Sequence, residues 1–160
     1  MILSEGRRLI FIHIPKTGGT SLAAAYESRA MADDILVGDT PKARARRKRL
    51  KRLTPRGRLW KHSTLADIEG LPGTADLGRM LLVTLVRNPG DRLVSYYAWA
   101  RVQEFDHPAI FAAKALDFHN FLFDPGISAS LRSAPARSYM TDAQGVERCA
   151  LFARMETLGA

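Results

Sequence analysis

The segment Arg8-Leu-Ile-Phe-Ile-His-Ile-Pro-Lys-Thr-Gly-Gly-Thr-Ser21 changes character halfway along. Its first half, Arg8–Ile14, is rich in β-branched and aromatic residues and short enough for a buried strand. Its second half, Pro15–Ser21, consists of turn formers, and Leu22 to Met31 then has helical spacing, with Leu22, Ala25, Tyr26 and Arg29 on one side. A strand, a glycine-containing turn and a helix in that order build an anion site. The first N–H groups of a helix lack intrahelical partners, and the helix dipole adds partial positive charge there. Gly18 and Gly19 let the chain pass close to a phosphate, while Lys16, Thr17, Thr20 and Ser21 add charge and hydroxyl donors. The order is not that of a Walker A loop, whose Lys follows the last Gly, because Lys16 precedes both glycines.

A second junction of the same kind lies further along. Met80-Leu-Leu-Val-Thr-Leu-Val86 predicts a central strand, Arg87-Asn-Pro-Gly-Asp91 breaks it, and Asp91 is expected to cap a helix running to about Glu104. Folding over residues 88–91 would bring Arg87 and Ser95 to one helix entry, and an Arg fork with a Ser hydroxyl suits a terminal phosphate. Taken alone, Arg87 reads first as a surface residue or an ion-pair partner, for instance of Asp91, and only second as a phosphate ligand. Ligands of open α/β sheets bind at the carboxyl ends of parallel strands, so two such junctions suggest a ligand with two separated phosphate-like groups. Elsewhere the pattern predicts a loop over 32–40 and a helix over Pro41–Leu53 begun by Pro41. It also predicts a short strand over Arg58–His62, and a helix over Thr64–Glu69 capped by Ser63. Beyond Ser95 it predicts a helix over Ala113–Phe123 stopped by Asp124-Pro-Gly126, a loop over 126–138 and a strand over Arg148–Ala153. Strands alternating with helices imply an α/β fold, a central mostly parallel sheet flanked by helices, in a single domain over residues 1–160.

The composition agrees with that class. At 160 residues, 46% hydrophobic and 25% charged, the chain has ordinary globular make-up and the length of one domain. No apolar run reaches the roughly 18 residues of a membrane span, and the start of the chain, with Glu5, does not read as a signal peptide, so a cytoplasmic protein is expected. The single Cys149 excludes an intramolecular disulfide and a cysteine-based zinc site. The net charge of +8 is local: Lys42–Lys61 holds eleven Lys and Arg and no acid, leaving 13 basic and 16 acidic residues elsewhere. This basic segment, 41–61, reads as a solvated helix face, as a docking surface for a sulfated or carboxylated glycan, or as a nucleic-acid contact. The last is disfavoured because residues 42–58 carry no aromatic for base stacking and no helix-turn-helix or RNA-binding signature is visible.

Phe11-Ile-His-Ile-Pro-Lys-Thr-Gly-Gly-Thr-Ser-Leu22 resembles the 5′-phosphosulfate-binding loop of sulfotransferases that use 3′-phosphoadenosine 5′-phosphosulfate (PAPS), closest to their carbohydrate (heparan 2-O-type) and bacterial branch. Val86-Arg-Asn-Pro-Gly-Asp-Arg-Leu-Val-Ser-Tyr-Tyr97 is similar to that family's 3′-phosphate-binding segment, and Leu151–Leu158 weakly resembles a later Arg-x-Glu-x-Leu segment. The resemblance implies a P-loop-NTPase-like sulfotransferase fold that transfers a sulfuryl group from PAPS to a hydroxyl of a carbohydrate acceptor, releasing 3′,5′-ADP without a metal. Lys16 would stand beside the bridging oxygen, helped by the backbone N–H groups of Gly18 to Ser21, with Thr17 and Gly19 also in the cofactor-binding loop. Thr20 and Ser21 would hold the 5′-phosphate, and Arg87 and Ser95 the 3′-phosphate. His62 is the candidate base, with Glu27 as a second choice and a backbone-bonded histidine as the bland reading. His13 is expected to be structural, and Tyr96, Tyr97 and Trp99 either line the cleft or belong to the core. The C-terminal part is short for the family, which implies an open site or a second subunit in a homo-oligomer. Two other readings remain: a P-loop kinase, against which the missing Walker A order argues, and a nucleotide- or polyanion-binding protein with reduced catalysis.

Overall fold

The computed structural model describes residues 1–158. They form two compact units, Met1–Val86 joined by the segment from Ala136 onward, and Arg87–Pro135 between them. The first unit runs β1 (Ile2–Ser4), β2 (Leu9–Ile12), α1 (Gly19–Glu27), β3 (Ile35–Leu36), α2 (Pro41–Leu50) and β4 (Leu81–Val86). The second holds α3 (Pro89–Arg101), α4 (Pro108–Ala115), α5 (Phe118–Phe123) and α6 (Pro125–Ser133). The chain then returns to the first unit as α7 (Ala136–Tyr139) and β5 (Leu151–Arg154).

The five-stranded sheet has the order β3-β1-β2-β4-β5. The α/β class is as expected, but the sheet is mixed rather than mostly parallel. β2 pairs in parallel with β4 (Ile12 opposite Thr84), and β4 with β5 (Val86 opposite Arg154). β1 runs antiparallel to both β2 and β3. The turn Glu5–Arg8 makes β1 and β2 a hairpin, closed by the Arg8 N–H on the Glu5 carbonyl at 3.0 Å with Arg8 at φ 52°. Nothing at position 8 announces that conformation, which usually calls for Gly or Asn.

The two faces of the sheet are covered differently. Phe11, Ile2, Leu36 and Leu85 pack with Leu22, Ala23 and Tyr26 of α1 and Ala43 of α2. Ile10, Ile12, Leu3 and Leu82 pack instead with Leu65, Ile68, Leu71 and Met140. The segment between α2 and β4 was expected to hold a strand over Arg58–His62 and a helix over Thr64–Glu69; it forms turns, apart from one 3₁₀ turn at Leu77–Arg79. Pro72 and the glycines at φ 90° (Gly70) and 80° (Gly73) cut the pattern. Its backbone is satisfied locally. The Ser63 hydroxyl accepts from the Trp60 N–H at 2.8 Å and donates to the Arg58 carbonyl at 2.7 Å, and Thr64 and Asp67 bond each other's N–H groups reciprocally.

In the second unit Asn88, not Asp91, caps α3, its side chain accepting from the Gly90 N–H at 2.9 Å. The single helix expected over Ala113–Phe123 is two, because Asp117 caps α5 through the Asn120 N–H at 2.8 Å. The loop expected over 126–138 is mostly α6, capped by Asp124 through the Ile127 N–H at 2.9 Å. Tyr96, Tyr97 and Trp99 pack around the buried Phe121 in the core of this unit, and the Tyr97 hydroxyl donates to the Leu116 carbonyl at 2.8 Å. Among the described residues no helix is long and apolar enough to cross a membrane.

Candidate functional site

The loop after β2 has the shape its glycines suggest. Lys16 lies in the left-handed region at φ 67° and Gly18 at φ 84°. Gly18 is the N-cap of α1 and offers no side-chain cap, and the first turn carries no acidic residue. The Ser21 N–H bonds the Gly18 carbonyl at 3.0 Å, so Gly19 and Thr20, at the first two helical positions, have no intrahelical acceptor for their N–H groups. Thr20 and Ser21 are exposed and Lys16 is half-buried. Thr17 is different: its side chain is buried, and its hydroxyl donates to the Ile14 carbonyl at 2.9 Å. It braces the loop, and only its backbone is left to face a ligand.

The two glycines are needed for separate reasons. Gly18 has a backbone angle that disfavours a side chain, and a Cβ there would lie 3.2 Å from the Met155 sulfur. Gly19 is pressed by the His13 ring, whose Cδ2 would lie 2.2 Å from a Cβ at position 19. Met155 begins the 3₁₀ turn Met155–Thr157 that follows β5, so the Leu151–Leu158 segment reaches the glycine loop. No spacing in the sequence points to that contact.

His62 does not sit at a strand end. It lies in a turn, half-buried, and its Nδ1 is 2.8 Å from the carbonyl oxygen of His13 at the end of β2. A carbonyl only accepts, so Nδ1 carries the proton and Nε2 the lone pair in the neutral ring. The His62 ring stands edge-on to His13 at 4.7 Å and to Trp60 at 5.0 Å. Burial lowers the His62 pKa to about 4; the bond to His13 opposes this, and the charges of Lys61 and the chain's amino terminus add to it. Burial likewise lowers His13 to about 3. Both rings are therefore neutral at pH 7.

Glu27 has another task. Its carboxylate accepts from the Thr40 hydroxyl, from the Lys42 N–H at 3.0 Å and from the Ala43 N–H at 2.9 Å, while the Lys42 ammonium donates to its backbone carbonyl. It caps α2 from across the fold. Burial alone would raise its pKa, but these hydrogen bonds outweigh burial and hold it below the ordinary value. Other cations of the basic segment are also tied down. Arg46 donates to the Asp34 carbonyl at 3.1 Å, Arg49 to the Ala32 carbonyl at 2.5 Å, and Lys61 pairs with Asp39 at 2.6 Å. Arg44, Arg47, Lys48 and Lys51 are exposed.

Lys16 to Ser21, His13, His62 and Met155 belong to the first unit, whereas Arg87 and Ser95 open the second. Arg87 directly follows β4 and precedes the Asn88 cap, and Ser95 lies within α3; both are half-buried. Within the first unit β2 and β4 are parallel neighbours in register. Among the described residues no group of three or more His, Cys, Asp or Glu is placed to hold a metal ion. The arrangement defines a mixed α/β protein with a glycine loop at the start of α1 beside a neutral histidine pair. Compared with family models, curated proteins and solved structures, the chain gives no match.

Proposed function

We propose that the chain is a PAPS-dependent sulfotransferase of the P-loop-like fold, acting on a hydroxyl of a carbohydrate acceptor. The observation that carries this reading is one juxtaposition at the end of β2. The His13 ring packs on Gly19 at the start of an uncapped α1, in a loop with Lys16 ahead of its glycines, and the His13 carbonyl holds the Nδ1 proton of the neutral His62 ring. The reaction needs those two elements, positive charge for the departing phosphate and an acceptor for a proton. The parallel strands β2, β4 and β5, with α1 following β2, agree with the fold.

In this mechanism the acceptor oxygen forms a bond to sulfur as the bond between sulfur and the bridging oxygen breaks, leaving 3′,5′-ADP. Lys16 and the N–H groups at the start of α1 stabilise the charge that develops on the bridging oxygen and the 5′-phosphate, with the Thr20 and Ser21 hydroxyls. Arg87 and Ser95 take the 3′-phosphate. The acceptor proton passes to Nε2 of His62. A base with a pKa of about 4 takes a proton from a hydroxyl only as the new bond to sulfur acidifies it, and the anionic donor alongside favours the imidazolium. Proton transfer therefore accompanies sulfuryl transfer.

Calorimetric titration with 3′,5′-ADP, 5′-AMP and ATP in the absence of metal tests the reading. The expected result is selective binding of 3′,5′-ADP, weakened roughly 10- to 100-fold in Arg87→Ala by loss of a charge-assisted contact. Absence of 3′,5′-ADP binding, or a preference for ATP, overturns it.

A further inference from the structure

His13 takes no part in the mechanism above, yet it touches both of its halves. Its carbonyl holds Nδ1 of His62 at 2.8 Å, and its ring meets the His62 ring edge-on at 4.7 Å. On the other side the same ring leaves no room for a side chain on Gly19, the first residue of α1. Phe11 backs it at 6.1 Å in a stacked arrangement, and the residue is 6% exposed. A ring wedged between a helix start and a second imidazole has little freedom to move.

We infer that His13 is a positioning residue, which fixes His62 in the Nδ1–H tautomer, with Nε2 as its basic nitrogen, at a set distance from the start of α1. The bond from the backbone carbonyl selects the tautomer, and the packed ring of His13 sets the plane of its neighbour. The groups that act electrostatically on His62 are His13, Lys61, the amino terminus and Asp39, and a neutral His13 adds no cation to that set at pH 7. This explains why a polar ring is buried here while the reaction is left to its neighbour. The consequence for turnover rests on the sulfotransferase reading; the tautomer does not.

The test is long-range proton–nitrogen NMR on the full chain labelled with ¹⁵N-histidine, beside steady-state kinetics. Unmodified protein at pH 7 should show His62 with a protonated Nδ1 and an unprotonated Nε2. His13→Ala, and independently Gly19→Ala, which drives the ring out with a Cβ, both keep the His13 carbonyl. Without the packed ring the His62 plane is no longer fixed, so its bond to that carbonyl should become intermittent, its tautomers mix and its pKa rise toward 6.5. In His13→Ala, kcat should fall about 10- to 100-fold with a smaller change in 3′,5′-ADP affinity, since general-base catalysis contributes on the order of 10²–10⁴. An Nε2–H tautomer in the unmodified chain overturns the inference even if neither variant folds. So does a folded variant with His62 unchanged. If the unmodified chain binds no 3′,5′-ADP, the sulfotransferase reading fails by itself while the NMR result still decides the role of His13.

Discussion

Replacing Glu27 tests the link between the two helices of the first unit. The carboxylate is buried and accepts hydrogen bonds from the Thr40 hydroxyl and from the N–H groups of Lys42 and Ala43. Bonds to a charged group contribute roughly 1.5–3 kcal/mol each, and the three do not add fully. In Glu27→Ala the Thr40 side chain can turn inward as an ordinary N-cap, recovering about 1 kcal/mol, and water can reach the half-buried Lys42. The net loss should be about 2–4 kcal/mol, or roughly 5–12 °C in Tm for a chain of this length. Glu27→Gln should lose about half as much, since one amide oxygen still accepts while the NH₂ faces donors. The pH dependence has a definite sign. The folded pKa lies below the ordinary 4.5, so the contribution is fully present above that value and is lost as pH falls through the folded pKa. The difference between wild type and Glu27→Gln in urea unfolding should therefore narrow below pH 4. A loss under about 1 kcal/mol at pH 7, or a gap independent of pH, refutes the capping assignment.

Other outcomes follow from the same geometry. Lys16→Ala should lower turnover at least about 10²-fold by removing charge beside the bridging oxygen, and a rate assay with PAPS checks it. His62→Ala should lower kcat by a similar or larger factor with 3′,5′-ADP binding intact; unchanged turnover removes His62 from the mechanism. Gly18→Ala meets both φ 84° and the Met155 sulfur, so it should cost about 1–2 kcal/mol and weaken 3′,5′-ADP in calorimetry. Asn88→Ala should cost about 1 kcal/mol in thermal unfolding, through loss of the α3 cap.

Part of the fold could be read from the chain because some of its punctuation is strong, at Pro41 above all, but α4 and α6 also begin with Pro where the sequence suggests a later helix and a loop. Helices α2, α3, α4 and α6 each begin with Pro in the first turn. Proline lacks an N–H, which a first turn does not need, and it keeps the preceding residue out of the helical region. The same rule misleads at Asp124-Pro125, where the sequence reads as a stop. Asp124 both ends α5 and caps α6, so one signal closes one helix and opens the next. Leu65, Ile68 and Leu71 carry helical spacing and are buried, yet they line turns. Their burial serves the sheet face and not a helix, and periodicity cannot distinguish the two over so short a span. Of the candidate site, the turn between β2 and α1 was legible because Gly18 and Gly19 constrain the backbone directly. The contacts of Met155 with Gly18 and of His62 with His13 depend on tertiary closure and leave no spacing to read.

Glu27 shows how a residue suspected of chemistry can be recognised as structural by local electrostatics. It sits in the last turn of α1, where the macrodipole disfavours an acid, and that turn carries no compensating cation. α2 has the opposite fault, with Lys42 in its first turn and no acid there, followed by Arg44, Arg46, Arg47, Lys48 and Arg49. Each helix is wrong at one end when taken alone. Joined, the misplaced acid of α1 meets the uncapped N–H groups of α2, and both faults are relieved by one carboxylate. α1 therefore presents its N-terminus to the glycine loop and its C-terminus to the basic helix. A carboxylate so committed is a poor base, because both of its oxygens already accept hydrogen bonds and a proton on either one would displace a donor. Under the proposed sulfotransferase reading, this leaves His62 rather than Glu27 as the candidate proton acceptor.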